Sequence, residues 1–594
     1  MVQARNIFKR LLVCAAGVAA AVGISALGAQ AQLTFSAPLN ISHNPGGGPQ
    51  LYIESGGNID AVWLQNPAGA SSPDVFFSRS TENGVSFSTP VDASSRTAAL
   101  IREWPVVAVD GNGRIDIAWL NEYQAMTGAP LIVDIYFTQS TDGGKTFSQA
   151  QNITLDGAAA AAARFDCNVE SDGHIDVAWT DISTGFVQVY FSHSTDSGAT
   201  FSAPRDISNA ATGSNGSGGA EEPFMAVDSG GNLNIIWTNY PVTPPYGPKT
   251  DVYYVRSTDG GSTFSNPENV TNVANMSPSL TAYAYQLSLD GTGNIDVFWT
   301  TGSATGFVTR STDHGATFSA SSPLPNFFRQ TAVDAAGSID VFSVQSQIIS
   351  GSPFNGTAVY QDTGYFSRSA DGGVTFSAPQ AIATGYHNST SQGSMQADMI
   401  VDATGAIEIA TALGSNATGN PADLYVLRST DNGATFTTTD VSNDGGYATY
   451  YIYAPTIAAD SNGNASVSWE DSTQGNNIFF SRGVNPIPPP ATLESLTFST
   501  PTVNSPGLVS GTITLSGPAP KGGSLVVITS SDPRAVIAQP RIAIPAGKWQ
   551  MQFAAVALPI FHQTTVTISG SYGGATDSAT ITVNPFRLVS LHGR

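Results

Sequence analysis

The sequence predicts an all-β fold: an eight-bladed β-propeller, with seven blades as the alternative count, followed by a β-sandwich. Three observations support this prediction. A nine-residue pattern recurs seven times at intervals of roughly 60 residues, as expected of a repeated supersecondary unit. A second pattern, two β-rich runs joined by an Asp/Gly/Asn turn, alternates with it. The chain holds 60 Gly and 35 Pro with only 11% charged residues, which is typical of a turn-rich β protein.

The chain starts with a predicted secretory signal peptide at residues 1–31. Three basic residues precede an apolar run at 11–28, and Ala29-Gln30-Ala31 provides a small-x-small cleavage site. We therefore expect a secreted, extracellular protein without a membrane span after cleavage, with the periplasm and the cell surface as alternative locations. A retained membrane anchor is the alternative interpretation of this segment.

The nine-residue pattern is exemplified by STDGGKTFS at 140–148. Its aspartate can accept backbone N–H groups of its own loop, its second glycine can supply a left-handed conformation, and its phenylalanine re-enters a strand. We therefore expect a structural turn. A calcium loop is the alternative, although the spacing lacks the alternating oxygen ligands of an EF-hand. The acidic positions of the seven copies are Glu82, Asp142, Asp196, Asp259, Asp313, Asp371 and Asp431.

Each repeat combines four predicted strands and no helix. A hairpin such as VAVDGNGRIDIAW (107–119) leads through a variable loop to a β-rich run such as DIYFTQS (134–140), the nine-residue turn and a closing strand. Eight hairpins accompany seven complete turns. LTFSAPLNIS (33–42) contains the second half of a turn, and the eighth repeat stops at NIFFSRG (477–483). We therefore expect the N-terminal strand to close a propeller spanning 32–483.

A second domain follows the propeller. VNPIPPPA (484–491) is a proline-rich, stiff linker. Residues 492–585 contain about seven alternating β runs, which predicts a β-sandwich of immunoglobulin size, and 586–594 form a tail. Cys167 is the one cysteine outside the signal peptide, so we expect no internal disulfide.

The nine-residue pattern resembles the Asp box, S/T-x-D-x-G-x-T-F/W, of the sialidase/BNR-repeat superfamily, and the repeats cover about four-fifths of the mature chain. The second domain resembles the disulfide-free bacterial immunoglobulin-like modules. The resemblance implies an Asp-box propeller whose boxes are structural hairpins opposite the functional face. In that superfamily, arginines hold a substrate carboxylate, and a tyrosine paired with a glutamate is the nucleophile.

Candidate site residues lie where the first strand of each repeat begins, beside the variable loops. The predicted substrate-binding residues are Arg102, Trp104, Arg164 and Arg329. The predicted catalytic residues are Glu103, Glu221 and Glu222. The three arginines would act together as an anion clamp. The alternative is a solvated rim with local ion pairs. An Arg-Ile-Pro motif, which the resemblance implies near the first blade, is absent from the sequence.

Two functions remain open. The first is a sialidase-like glycoside hydrolase that acts on extracellular glycans. The second is a non-catalytic propeller that binds a glycan or glycoprotein, with the immunoglobulin-like module as a spacer or surface attachment. The formal charge of −22 argues against nucleic acid as a partner. The seven histidines show no metal-ligand spacing, and we expect neither a metal nor a cofactor, and a monomer.

Overall fold

The computed structural model describes residues 32–586 with short gaps. The gaps are 55, 68–69, 71, 95–100, 125–130, 155–163, 182–186, 209–218, 241–249, 272–281, 302–304, 326–327, 354–355, 389–394, 415–421, 443–451, 473–474, 486–490, 517–518, 520–522 and 546–547. The predicted signal peptide, part of the linker and nearly all of the predicted tail therefore lie outside the described residues. The chain divides into two compact units, one ending at Asn485 and one beginning at Pro486. In the described part, no helix has the length and apolar character needed to cross a membrane.

The first unit is built from antiparallel β-sheets that follow one another along the chain. Sheets 1 to 4 contain, four strands each, β3 (Gly46–Ile53), β4 (Ile59–Gln65), β5 (Asp74–Ser80), β6 (Val91–Asp92), β7 (Ile101–Val109), β8 (Ile115–Gln124), β9 (Leu131–Ser140), β10 (Gln151–Asn152), β11 (Arg164–Val169), β12 (Ile175–Asp181), β13 (Gln188–Ser194), β14 (Arg205–Asp206), β15 (Gly219–Val227), β16 (Leu233–Tyr240), β17 (Asp251–Ser257) and β18 (Glu268–Asn269). Sheets 5 to 7 contain β19 (Ala282–Leu289), β20 (Ile295–Thr301), β21 (Gly306–Ser311), β22 (Ser322–Pro323), β23 (Phe328–Val333), β24 (Ile339–Ser350), β25 (Val359–Ser369), β26 (Gln380–Asn388), β27 (Ala397–Val401), β28 (Ile407–Gly414), β29 (Ala422–Ser429) and β30 (Thr437–Asp440).

Sheet 8 combines the two ends of the unit. It joins β31 (Ile452–Ala459), β32 (Ala465–Asp471) and β33 (Asn477–Val484) to β1 (Thr34–Phe35) and β2 (Leu39–Asn40). Both N-terminal strands pair antiparallel with β33. The first strands of successive sheets contact one another in chain order from β3 to β31, and β31 contacts β3. These seven four-stranded sheets and the five-stranded sheet 8 are consistent with the predicted β-propeller.

Neighbouring sheets pack through buried aromatic side chains. A fully buried tryptophan lies on the second strand of six sheets: Trp63, Trp119, Trp179, Trp237, Trp299 and Trp469. The nine-residue loops add a second contact, since Phe147 of sheet 2 meets Phe77 of sheet 1 edge-on with ring centroids 5.3 Å apart. Phe87 of sheet 1 meets Phe480 of sheet 8 in the same way at 4.8 Å. The same device therefore joins consecutive sheets and the two ends of the unit.

Arginines at the end of the third strand have a recurring structural role. In six sheets this arginine forms ion pairs with buried or half-buried carboxylates: Arg79 with Glu54 and Asp60, Arg256 with Asp228, Arg310 with Asp290 and Asp296, Arg368 with Asp334 and Asp340, Arg428 with Asp402 and Glu408, and Arg482 with Asp460. Sheets 2 and 3 carry Gln139 and His193 at this position, opposite the buried Asp116 and Asp176.

The second unit contains two sheets. One is formed by β34 (Leu493–Phe498), β36 (Gly507–Leu515), β40 (Gln550–Ala557) and β38 (Val536–Ala538), and the other by β35 (Thr502–Asn504), β42 (Ala575–Asn584), β41 (Thr564–Tyr572), β37 (Ser524–Ser530) and β39 (Arg541–Ile544). β35 pairs with β42 in parallel, and the other pairings are antiparallel. Side chains of both sheets share one buried core, which includes Ile513, Phe553 and Ile568.

The glycine of a nine-residue loop should be intolerant of a side chain. Gly144 has φ 83°, and a Cβ built there would overlap the Phe77 ring of the preceding sheet. Gly113 has nearly the same φ, 79°, and no atom within 4 Å of its built Cβ. We expect Gly144→Ala to lower the free energy of unfolding by about 2–4 kcal/mol and Gly113→Ala by about 1 kcal/mol. Urea unfolding measures both; equal losses would show that the backbone conformation, not the packing, decides.

Candidate functional site

One position of the first strand brings polar side chains to the same level in neighbouring sheets. The residue at this position of the first strand pairs with a residue of the second strand, namely the one directly after the buried tryptophan. We call these residues the entrance layer: Gly47, Glu103, Arg164, Glu221, Tyr283 and Tyr453. The layer lies at the start of the first strands. The nine-residue loops follow the ends of the third strands, and antiparallel pairing puts these loops at the opposite end of each sheet. The two features are therefore on opposite faces.

A strained backbone follows the entrance layer in four sheets. Gly48, Trp104, Glu222 and Ala454 all have positive φ, at 64°, 50°, 58° and 45°. Each immediately precedes a proline, and the strand register shifts at each of them. Such bulges re-aim side chains. Sheet 1 places Gly in this conformation, which a side chain disfavours, whereas sheets 2, 4 and 8 place tryptophan, glutamate and alanine there.

Trp104, Arg164 and Glu222 meet although they come from three different sheets. Nε of Arg164 lies 3.2 Å from Oε1 of Glu222, and these side chains are 23% and 26% exposed. The Arg164 guanidinium also lies over the Trp104 ring, 5.2 Å from the ring centroid. Because both contacts use the same guanidinium, Arg164 links the indole of sheet 2 to the carboxylate of sheet 4.

Glu221 and Tyr240 extend this group across sheet 4. The Tyr240 side chain lies close enough to the Glu221 carboxylate for the two groups to affect each other's pKa. Burial, and then the charge of Glu222, raise the pKa of Glu221. Burial, and then Glu221, raise the pKa of Tyr240, so its phenol stays protonated at neutral pH. The Tyr240 ring meets the Tyr283 ring of sheet 5 edge-on at 6.3 Å.

We define the entrance cluster as the half-buried side chains of Trp104, Arg164, Glu221, Glu222, Tyr240 and Tyr283. Four of them were predicted from the sequence as site residues, and Tyr283 lies at the strand entrance that the prediction identified. Tyr240 was missed because a tyrosine at the end of a strand is ordinary for β structure. A signal existed: Tyr240 lies three residues after its tryptophan, and sheet 2 has Glu122 at the same place.

Glu103 lies in the entrance layer of sheet 2 with a second carboxylate nearby. Burial, followed by the charge of Glu103, raises the pKa of Glu122 on the adjacent strand. The two glutamates therefore add negative charge to the sheet that also carries Trp104. Among the described residues, no group of three or more His, Cys, Asp or Glu side chains could hold a metal ion.

The predicted clamp of three arginines needs a correction. Arg102 is 3% exposed, pairs with the Asp74 carboxylate and donates from Nη1 to the Pro73 carbonyl at 2.9 Å, so its charge is used within the fold. Arg329 lies on β23 in sheet 6, where its backbone carbonyl oxygen accepts a hydrogen bond from the Tyr285 hydroxyl. Arg164 contacts two members of the entrance cluster, Trp104 and Glu222.

The acidic residues of the nine-residue loops bind their own loops. In the copy at 140–148, Oδ1 of Asp142 accepts a hydrogen bond of 3.0 Å from the Thr146 amide, and Oδ2 accepts one of 2.6 Å from the Thr146 hydroxyl. These bonds lower the pKa of Asp142 to about 2. The same pair of bonds occurs at Asp196, Asp259, Asp313, Asp371 and Asp431, while Glu82 accepts the Ser86 hydroxyl. The carboxylates are therefore occupied by turn hydrogen bonds.

No protein-family model and no curated protein matches the chain. Among solved structures, it is similar to the alpha-L-arabinofuranosidase of Fusarium graminearum in complex with arabinobiose, at 10% identity over 76% of this chain and 98% of that one, with a TM-score of 0.31. It is also similar to the intramolecular trans-sialidase of Ruminococcus gnavus, at 14% identity over 77% of this chain and 98% of that one, with a TM-score of 0.30. Identities and scores this low carry no conclusion about this chain, so its fold class rests on its own sheet topology.

Proposed function

We propose that the chain is a secreted, monomeric Asp-box propeller of eight blades (32–483), with a linker (484–491) and an immunoglobulin-like module (492–585), and that its entrance cluster recognises extracellular glycans. Eight sheets among the described residues and the contact of β31 with β3 support the blade count. Two sheets sharing one core support the module. The module would serve as a spacer or surface attachment.

The observation that carries the functional proposal is the backbone conformation at Trp104 and Glu222. A residue with a large side chain at positive φ costs on the order of 1 kcal/mol or more, and such strain concentrates at functional sites. Gly48 and Ala454 occupy the same position in sheets 1 and 8, so the fold itself does not require these side chains. Ala454 adopts the same conformation with only a methyl group, so sheets 2 and 4 differ from sheet 8 in presenting an indole and a carboxylate there, beside Arg164.

The remaining members of the cluster have the chemistry that a sugar requires. Aromatic rings pack against the apolar faces of sugar rings, and a few well-placed polar groups bind the hydroxyls. Tyr240 and Tyr283 supply rings with hydroxyls, and Glu221 supplies carboxylate oxygens, all at the level of one entrance layer. Recognition of a glycan is therefore the function that the geometry supports best.

Hydrolysis is the second candidate, favoured by the closeness of Tyr240 to Glu221, whose charge contributes to the raised pKa of Tyr240. The superfamily that the chain resembles uses a tyrosine paired with a glutamate as its nucleophile. Two features count against it. The raised pKa of Tyr240 disfavours the phenolate, and Glu222 neutralises the arginine that would hold a substrate carboxylate. We therefore place hydrolysis second.

Glu222→Gly tests recognition without a confounding loss of fold. Glycine removes the strain at φ 58°, so we expect an unchanged or higher melting temperature, together with a loss of glycan binding of about tenfold or more. Ala454→Gly relieves the same conformation in sheet 8 and should leave binding intact. A glycan array of the mature protein, followed by titration calorimetry, measures both variants. Full binding by Glu222→Gly would remove the cluster from the function, and a glycosidase-substrate screen of the same proteins would detect turnover.

A further inference from the structure

We infer that the glycan unit bound at the entrance cluster is an uncharged sugar rather than a carboxylate-bearing one. This inference rests on the proposed function and names the substrate class of the same site. It departs from the anion clamp that the sequence predicted. The argument depends on which charges of the cluster are available to a ligand.

The cluster contains one guanidinium, and that guanidinium is already engaged. Arg164 lies 3.2 Å from the Glu222 carboxylate, and its face covers the Trp104 ring. A sugar carboxylate would have to compete with Glu222 for the charge of Arg164, and loss of that ion pair would leave a half-buried carboxylate without its partner. The site therefore offers an anion no uncompensated positive charge among the six members of the cluster.

The other charges near the cluster repel an anion. Glu221 lies next to Glu222, and the charge of Glu222 contributes to the raised pKa of Glu221. On sheet 2, Glu103 and Glu122 are close enough for one to raise the pKa of the other. Like charges brought together in a binding site cost several kcal/mol, so a carboxylate-bearing sugar is selected against.

The predicted partners of Arg164 cannot reverse this balance. The Arg102 guanidinium is 3% exposed and engages Asp74, so it compensates a carboxylate of sheet 1. Arg329 belongs to sheet 6, and its charge acts on the Tyr285 hydroxyl of sheet 5. A clamp would need at least two guanidinium groups on one ligand, and the described contacts bring one to this cluster.

An uncharged sugar can bind the carboxylates of the cluster through its hydroxyls. The Glu222 carboxylate is paired with Arg164, and the Glu221 carboxylate lies beside Tyr240. Each carboxylate oxygen can accept a further hydrogen bond from a sugar hydroxyl without giving up its partner. Tyr240 and Tyr283 then provide rings for an uncharged sugar face, which requires no compensating charge.

The test compares oligosaccharides with and without one carboxylate-bearing sugar residue. The mature protein is titrated with N-acetyllactosamine and sialyl-N-acetyllactosamine, xylo-oligosaccharides with and without glucuronic acid, and a chitosan oligomer. We expect the protein to bind an uncharged oligosaccharide, and to bind the acidic member of that pair with an affinity at least about tenfold lower. Preference for the acidic members or for chitosan would overturn the inference while leaving glycan recognition standing. Binding of no sugar would overturn both.

Glu222→Gln provides the second arm, because it releases Arg164. We expect this variant to shift the ratio of acidic to uncharged binding by about tenfold toward the acidic sugar. The matched control is Asp172→Asn, which removes the same charge from a 61% exposed carboxylate in the turn at the far end of sheet 3 and should leave the ratio unchanged. An unchanged ratio in Glu222→Gln, or an equal shift in Asp172→Asn, would overturn the inference.

Discussion

Removal of residues 32–42 from a chain that starts at residue 32 should lower its melting temperature by about 5–10 °C. The deletion takes away β1 and β2, which pair with β33, together with the buried side chains of Leu33 and Ile41. Loss of two buried aliphatic side chains and their backbone hydrogen bonds costs about 5–10 kcal/mol, and a unit of this size loses about 1 °C per kcal/mol. Differential scanning calorimetry measures the shift.

A synthetic peptide with the sequence of residues 32–42 is the control for this deletion. The deletion exposes the edge of β33 that β1 and β2 cover in the intact protein. The peptide should therefore bind there and restore part of the lost stability, as mass action requires. A scrambled peptide should not. Equal melting temperatures for the intact and truncated proteins would show that the N-terminal strands do not close the ring of sheets.

The repeat could be predicted from the sequence because its chemistry is local. Asp142 binds groups within four residues of itself, and the hairpins alternate apolar and polar residues at a period of two. The partner of the N-terminal strand could also be predicted, because 33–42 contains half of a repeat that 477–483 leaves unfinished. These features follow from residues near each other or from counting copies.

The candidate site could be predicted only in part. Side chains that break the repeat marked Trp104, Arg164, Glu221 and Glu222, and the structure brings them together. Arg102 breaks the repeat equally, yet it turns to Asp74 in the preceding sheet. The difference depends on strand register, on the bulge before Pro105 and on the rotation between sheets, none of which the sequence displays.

Sheets 1 and 3 differ in the side chain that faces their buried aspartate. In sheet 1, Nε of Arg79 lies 2.7 Å from Oδ1 of the buried Asp60. In sheet 3, His193 takes the place of the arginine, opposite the buried Asp176. Burial, and then the nearby Glu170, hold the pKa of Asp176 well above its usual range. Burial lowers the pKa of His193, so its ring is uncharged at pH 8 and gives Asp176 no positive partner.

The raised pKa of Asp176 makes the stability of wild-type sheet 3 fall as pH rises. The folded protein keeps a proton on Asp176 that the unfolded chain releases above about pH 4, so the unfolded state gains from each further rise in pH until the folded-state pKa is passed. Asp116 of sheet 2 contributes in the same direction, since burial and the charge of Asp110 raise its pKa to about 8.

His193→Arg should therefore raise the free energy of unfolding at pH 8 by on the order of 1–2 kcal/mol, and by much less at pH 4, where the folded wild-type protein holds its proton on Asp176. Arg79→His is the reciprocal change and should cost about 3–5 kcal/mol at pH 8, because it leaves Asp60 buried without its partner. Urea unfolding at the two pH values measures both variants. A gain from His193→Arg that is equal at pH 4 and pH 8 would mean that the arginine acts through packing. A loss at pH 8 would mean that sheet 3 has no room for the ion pair that sheet 1 holds.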